Sequence, residues 1–242
     1  MPGSGREARW RRTVRYVAAA ILLLVLLAAT ASGLQWYWSL IGFCVVFVLV
    51  LGKRRILRPG VTRTADDIVC RYIPWSEGNA MVLNLVLPIV GIAGTAAAFA
   101  PGNPMWLKFV GPMLILFTPL FTYAAVRMWR RCILRFSAAA LTIRTAAPKD
   151  VLTEVPRHRV RSIAPKVVPN GVSGESLQVE IVYATSDSGT DTRTVLLGLQ
   201  LSVQPKNLLD ALVAWKDATG DDPNELLDQI EGILRGRSPA VV

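Results

Sequence analysis

Four apolar segments, each close to the length of a membrane-spanning helix, lie in the first half of the 242-residue chain. A helix needs about 20 apolar residues to cross the hydrocarbon core of a bilayer, because each residue advances it by about 1.5 Å. We therefore predict four transmembrane helices, at residues 14–33, 36–51, 81–100 and 109–126. Short turns at 32–35 and 101–108 pair them as two hairpins. Residues 1–131 are thus expected to form an α-helical membrane bundle.

Basic residues flank these segments on one side only. Residues 1–131 hold 15 Lys and Arg against 4 Asp and Glu, whereas residues 132–242 hold 12 against 13. The two hairpin turns contain one basic residue, Lys108. Basic loops stay on the cytoplasmic side, so we predict a multi-pass protein of the inner (cytoplasmic) membrane with both termini in the cytoplasm. The bilayer is then a partner, and nucleic acid is not expected because the soluble half has no basic excess.

The first apolar segment has a second interpretation. An Arg-rich start, a short apolar core and the small residues Ala29-Thr30-Ala31 also fit a cleavable signal peptide. Cleavage would leave the second segment correctly oriented, so the charge pattern does not separate the two alternatives. The intact hairpin is the simpler interpretation, because its turn is only a few residues long.

The predicted spans contain few polar residues. Channels and transporters usually carry polar or ionisable groups in the membrane interior, and here Asn84 with Pro88 is the one transport-like pair. Broken helices can mark a substrate site, but an interhelical hydrogen bond and a proline kink explain the same residues. A face of small residues in the third span is typical of close helix packing; it comprises Gly91, Gly94, Ala97 and Ala98.

The second half of the chain changes to the pattern of a β-rich domain. Alternating apolar residues and turn signals predict five strands, at Cys132–Phe136, Leu141–Thr145, Arg159–Ile163, Leu177–Tyr183 and Arg193–Leu197. Two amphipathic helices follow, over 205–218 and 222–235. We assign 132–220 to a cytoplasmic domain, 221–242 to a C-terminal helix and tail, and 56–78 to a short β-like insert between the second and third spans.

The two hairpins end alike. Arg54-Arg55-Ile56-Leu57-Arg58 follows the first and Arg130-Arg131-Cys132-Ile133-Leu134-Arg135 follows the second, which suggests either a duplication or a shared need for basic ends. The segments Phe136–Arg144 and Glu154–Ile163 resemble the corresponding segments of bacterial membrane proteins that carry a pleckstrin-homology-like (PH-like) cytoplasmic domain. That resemblance implies a bent β-barrel closed by a C-terminal helix. The helix at 222–235 departs from the family pattern.

Catalytic motifs are missing from the sequence. His158 is the only histidine, and neither the acidic pairs Asp66-Asp67 and Asp221-Asp222 nor the three cysteines have the spacing of a metal site. The first acidic pair is expected in a turn and the second at a helix cap. We therefore predict no enzyme activity, no catalytic residue, no metal and no cofactor.

The best binding candidate is a basic strip formed by Arg157, Arg159, Arg161 and Lys166. Alternate residues of a strand share one face, so the three arginines could present a row to anionic lipid head groups or to an acidic protein. A solvated strand edge, where charges prevent aggregation, explains the same residues.

These observations predict a non-enzymatic membrane protein of a bacterium that presents a cytoplasmic PH-like domain. Its expected role is that of an interaction, scaffold or accessory subunit at the cell membrane, with an unidentified protein partner. The alternative is a small transporter component that uses the kinked helix with Asn84 and Pro88.

Overall fold

The computed structural model describes residues 4–51, 56–147, 150–170, 174–185, 191–198, 200–218 and 222–237. The chain divides into two compact units. A helical unit comprises Met1–Arg55 and Gly78–Ala124, and a β unit comprises Ile56–Glu77 and Ala125–Val242. The predicted combination of an apolar helical part with a β domain is therefore confirmed, although the boundary between them is not the one expected.

The helical unit begins with α1 (Ser4–Ala31) and α2 (Trp36–Leu51). After the insert comes a helix from Gly78 to Ala98, made of α3 (Gly78–Met81), a π-helical turn (Val82–Val86) and α4 (Leu87–Ala98). The last apolar helix, α5 (Leu107–Arg131), begins in this unit and continues into the β unit. Among the described residues, three segments are long and apolar enough to cross a membrane, namely Thr13–Ala31, Gly78–Ala98 and Leu107–Arg131.

The second predicted span, at 36–51, is shorter than the other three. Helix α2 has 16 residues, which corresponds to about 24 Å at 1.5 Å per residue, less than the roughly 30 Å of a typical hydrocarbon core. It packs along both α1 and α4. Its Gly42 lies so close to Leu26 of α1 that a Cβ atom there would come within 2.6 Å of Leu26 Cδ1, so glycine permits this contact.

Small residues also let α4 and α5 approach each other. A Cβ atom on Gly111 would lie 2.5 Å from the backbone nitrogen of Thr95, and one on Gly91 would lie 2.8 Å from Ile115 Cγ1. The close packing predicted from the small-residue face of the third span is confirmed, because Ala93, Ala97 and the glycines leave room for the neighbouring backbone.

In the part of the β unit that the structure describes, there are eight strands and two α-helices. Its elements are β1 (Val61–Arg63), β2 (Asp67–Arg71), β3 (Ile133–Ser137), β4 (Ala140–Arg144), β5 (Thr153–Pro156), β6 (Val160–Asn170), β7 (Gly174–Ala184), β8 (Thr192–Leu197), α6 (Pro205–Asp217) and α7 (Pro223–Leu234). Strands β1 to β5 form one antiparallel sheet and β6 to β8 form another, each in sequence order.

The insert between the second and third apolar helices belongs to this unit. Its strand β2 pairs with β3 over five residues, from Asp67 opposite Ser137 to Arg71 opposite Ile133. The domain is thus larger than the predicted range 132–220, since β1 and β2 complete its first sheet. Sequence patterns identify a β-like stretch at 56–78, but a pairing across more than 60 residues of chain leaves no local signal.

One apolar core joins both sheets and both helices. It contains Ile68, Phe136, Ile181 and Trp215, together with Ile230 of α7, all at most 1% exposed. The expectation that the second helix lies outside the barrel unit is wrong, because Leu227, Ile230 and Leu234 of α7 are buried in this core.

A buried serine joins the insert to the loop that precedes α6. Ser202 is fully buried, and its Oγ accepts a hydrogen bond from the Ile73 backbone N–H at 2.7 Å. Its carbonyl oxygen accepts from the Gly60 N–H at 2.8 Å, and its own N–H donates to the Arg71 carbonyl at 3.3 Å. Gly60 is required here, since a Cβ atom would lie 2.2 Å from the Arg71 oxygen.

Candidate functional site

The basic strip does not form a straight row on one strand. Pro156 ends β5, and Arg157–Arg159 form a 3-10 turn before β6 begins at Val160. The strand predicted over 159–163 is therefore preceded by a turn that contains two of the three arginines. Alternate spacing places residues on one face only within a strand, so the predicted row of three is not formed.

Arg157 binds the end of a helix in the same unit. Its Nε donates to the Lys216 carbonyl at 3.1 Å, and its Nη2 donates to the Ala218 carbonyl. Its guanidinium carbon lies 5.9 Å from the centre of the Trp215 ring. Carbonyls at a helix C-terminus lack intrahelical partners and favour a cation. Arg157 thus stabilises α6, a structural role that the sequence pattern did not suggest.

The other strip residues also interact within the unit. Lys166 lies on β6, and its Nζ is 2.5 Å from Glu180 Oε1 on β7. The Arg161 carbonyl accepts a hydrogen bond from Lys216 Nζ at 2.7 Å. Arg161 is exposed and Arg159 is half-buried. Each of these two residues has a further interaction within the protein. The structure brings together Arg157, Lys216 and Arg161 around the end of α6, and it places Lys166 further along the β6–β7 hairpin.

Asn84 and Pro88 lie where the third apolar helix changes its hydrogen-bonding pattern. Pro88 has no N–H to donate to the carbonyl four residues earlier, and the π-helical turn Val82–Val86 comes directly before α4. Asn84 Nδ2 donates to the Ala80 carbonyl at 2.8 Å, and Asn84 Oδ1 accepts from Thr122 Oγ1 of α5 at 2.9 Å. This is the geometry of an interhelical hydrogen bond beside a proline.

Titratable groups outside the strip are dispersed. Asp67 Oδ2 lies 3.5 Å from Arg135 Nη1, and Asp222 caps α7 by accepting from the Asn224 N–H at 2.8 Å. The helix cap predicted for the second acidic pair is confirmed at Asp222, while Asp221 lies outside the described residues. His158 is exposed in the 3-10 turn. Within the described ranges, no group of three or more His, Cys, Asp or Glu side chains could hold a metal ion.

Two of the three cysteines are buried in the β unit. Burial raises the pKa of the Cys70 thiol to about 12. It also raises the pKa of Cys132 to about 11, although Arg127, Arg131 and Arg144 lower it in part. Such thiols stay protonated and poorly nucleophilic. The structure describes all three cysteines as free, as predicted.

A shallow cleft of about 260 Å³ lies where α5 ends, and it is lined by Arg71, Trp129, Arg130 and Ile133. The Trp129 ring makes an edge-to-face contact with Trp75 of the insert, with 5.2 Å between ring centres. The sequence pattern identified Arg130 and Ile133 in the segment that follows the second hairpin. It missed Arg71, because only the pairing of β2 with β3 brings that residue beside them.

No protein-family model, curated protein or solved structure matches this chain.

Proposed function

We propose that this chain is a non-enzymatic integral membrane protein with four membrane-spanning helices, whose PH-like domain serves as an interaction or accessory module at the cytoplasmic face. One observation carries the proposal: β2, from the connector after α2, pairs with β3, which follows α5. Two long apolar helices lie between these strands in the chain. If both helices cross the membrane, the paired strands must lie on the same side.

The basic residues support a cytoplasmic position for that side. They cluster in the connector at 53–58 and at the end of α5, where Arg127, Arg130 and Arg131 lie. Basic loops are retained in the cytoplasm. The α1–α2 hairpin has a tight turn, in which the Leu34 N–H donates to the Ala29 carbonyl at 2.9 Å. If both helices cross the membrane, the two ends of this hairpin lie on one side, and we propose a cytoplasmic N-terminus on that basis.

The architecture of the β unit supports the PH-like assignment. Two antiparallel sheets share one core, and α6 covers it with Leu208, Leu212 and Trp215, each fully buried. A bent barrel closed by a C-terminal helix has these parts. The unit departs from that pattern in two ways, since β1 and β2 come from the insert and α7 adds a second buried helix.

The chain connections favour an anchored interaction module. A single residue, Cys132, separates α5 from β3, and the insert is joined to apolar helices at both of its ends. At the α5–β3 joint the domain therefore follows the apolar helix without a linker. It also exposes apolar side chains of the kind found at protein interfaces, with Val151 at 75%, Val167 at 59% and Leu152 at 54% exposure.

The test combines site-specific photocrosslinking in cells with a flux assay. A photoreactive amino acid at Val151 or Val167 is expected to give one discrete protein adduct, whereas the same group at Gln229, on an exposed face of α7, is the matched control. Purified protein in proteoliposomes should give no solute flux above that of empty liposomes. Flux that Asn84→Leu abolishes, with no discrete adduct at either position, would contradict the proposal and support a transporter.

A further inference from the structure

The cleft at the end of α5 is built on a row of residues across the first sheet. Arg71 on β2 lies opposite Ile133 on β3, and Ile133 lies opposite Arg144 on β4. Directly opposed residues in neighbouring strands point to the same face. Arg130, in the last turn of α5, lines the same cleft as Arg71 and Ile133. Two guanidinium groups therefore border the cleft, and a third belongs to the row beneath it.

Within the described residues, these guanidinium groups have no acidic partner. Among the described residues, the side chains of Arg71 and Arg130 form no ion pair and no hydrogen bond, and both are exposed. The Nε of Arg144 is buried without a hydrogen-bond partner within the same ranges. In contrast, Arg135 on the same sheet pairs with Asp67. Planar guanidinium groups bind phosphate oxygens in a bidentate manner, so the cleft has the chemistry of a phosphate site.

The surroundings indicate which phosphate is available. Trp129 lines the cleft, and Trp75, 61% exposed, contacts its ring edge to face. Tryptophan is enriched at the level of lipid head groups, where its ring meets both apolar and polar atoms. Trp129 and Arg130 lie in the last turn of α5, a 25-residue apolar helix that ends at Arg131. The cleft thus lies at the point of the chain where a membrane span would reach the head groups.

We infer that the cleft bordered by Arg71, Arg130 and Trp129 binds the phosphate of an anionic phospholipid in the cytoplasmic leaflet. The arginines contact the phosphate oxygens, and Trp129 with Ile133 contacts the adjoining glycerol and upper acyl chain. This inference rests on the proposed function, because it requires α5 to cross the membrane. It places lipid binding at the end of α5 and not on the strip at 157–166.

Native mass spectrometry of the full-length, detergent-solubilised protein tests this site, because it resolves individual bound lipids. The probes are dioleoyl phosphatidylglycerol and dioleoyl phosphatidylcholine. We expect the Arg71→Gln/Arg130→Gln variant to bind the first phosphatidylglycerol at least about fivefold more weakly than wild type, the equivalent of one basic residue near an anionic surface. Binding of phosphatidylcholine should be unchanged. Arg71→Lys/Arg130→Lys, which keeps the charge and the fold, should give an intermediate loss.

The matched control is Arg161→Gln/Lys166→Gln, which removes the same charge from the basic strip. It should leave the first phosphatidylglycerol bound as in wild type. Equal binding by wild type and the Arg71→Gln/Arg130→Gln variant, or a loss confined to the strip variant, would overturn the inference. Competition by millimolar inorganic phosphate, with no lipid preference, would also overturn it, since the cleft would then take free phosphate. If instead the proposed function fails because the protein is not integral to the membrane, alkaline carbonate will extract it.

Discussion

Trp215 is the largest fully buried side chain among the described residues of the β unit, and it contacts β3 and the turn before β6. Its Nε1 donates to the Ser137 carbonyl at 2.7 Å, its ring meets Phe136 edge to face at 6.5 Å, and Arg157 lies over it. These contacts join α6 to the end of β3 and to the 3-10 turn at Arg157. Sequence periodicity predicts that Trp215 faces the core, but its hydrogen bond to Ser137 at the end of β3 has no local signal.

Replacing this side chain should destabilise the whole β unit. Truncation of a buried tryptophan to alanine typically costs about 3–5 kcal/mol, a large share of a domain's stability. We expect Trp215→Ala to lower the thermal unfolding midpoint of the full-length protein sharply. Val213 lies on the same helix and is 38% exposed, so Val213→Ala should change the midpoint little. Equal midpoints for the two variants would show that α6 does not cover the core as described.

The buried thiol of Cys70 makes stability depend on pH in the alkaline range. Its pKa is raised by burial from 9.0 to about 12, so the unfolded chain loses this proton at a lower pH than the folded protein. The stabilisation is therefore complete below pH 9 and is lost as pH rises toward 12. The difference in free energy of unfolding between wild type and Cys70→Ala should narrow above pH 9, by up to about 1.4 kcal/mol per pH unit. A constant difference from pH 8 to 11 would indicate a solvated thiol.

Among the elements, the two C-terminal helices were the most predictable. A proline at the first turn and an apolar stripe define α6 and α7 to within two residues of the predicted bounds. The predicted strand at 159–163 is shorter than β6, which extends to Asn170. Pro165 and Pro169 argue against a strand in that extension. Among the described residues, β6 pairs with β7 alone, and prolines are tolerated on such an edge strand.

Helix α7 is an integral part of the β unit, contrary to its expected position outside the barrel. Ile230 is fully buried among residues of the shared core. Substituting Ile230 with alanine should cost about 2–5 kcal/mol, measured as a lower midpoint of chemical unfolding of the full-length protein. Gln229→Ala alters the adjacent exposed position and should be neutral. A neutral Ile230→Ala would place α7 outside the cooperative unit.

The pairing of β2 with β3 can be tested by a disulfide. Val69 lies directly opposite Arg135, so cysteines at these two positions should form a bond on mild oxidation, because opposed residues have Cβ atoms about 4.5–5.5 Å apart. A Val69→Cys/Thr142→Cys pair is the control, since Thr142 is one strand further away and roughly 9–10 Å separates alternate strands. A bond in the control pair alone would refute the register.

At the scale of the whole chain, the apolar blocks predicted the helical part, and the alternating strand pattern predicted the β part. The orientation inferred from the Arg clusters stays a prediction. The basic strip was a poor guide, since the turn at Arg157–Arg159 and the carbonyls at the end of α6 determine where those side chains lie. The cleft at Arg71 and Arg130 depends on a long-range strand pairing that no local pattern contains.

The sheet shared by the insert and the C-terminal half also changes which fragments should fold. A fragment that starts at residue 136 lacks β1, β2 and most of β3, so it loses the first strands of the sheet and the partners of Ser202. Binding experiments on the β unit therefore require the full-length protein. The same unit also restricts the membrane topology. Leu57 and Val151 both belong to it, so they must lie on the same side of the membrane.

Labelling of introduced cysteines in intact cells tests most directly whether these two positions lie on one side of the membrane. Met105→Cys lies in the turn between α4 and α5, and Leu57→Cys and Val151→Cys lie in the β unit; these positions are 71%, 51% and 75% exposed. The native cysteines are buried, so they give little background. A membrane-impermeant maleimide should modify Met105→Cys in intact cells, and Leu57→Cys and Val151→Cys only after permeabilisation. Modification of Leu57→Cys and Val151→Cys from opposite sides of the membrane would contradict the account.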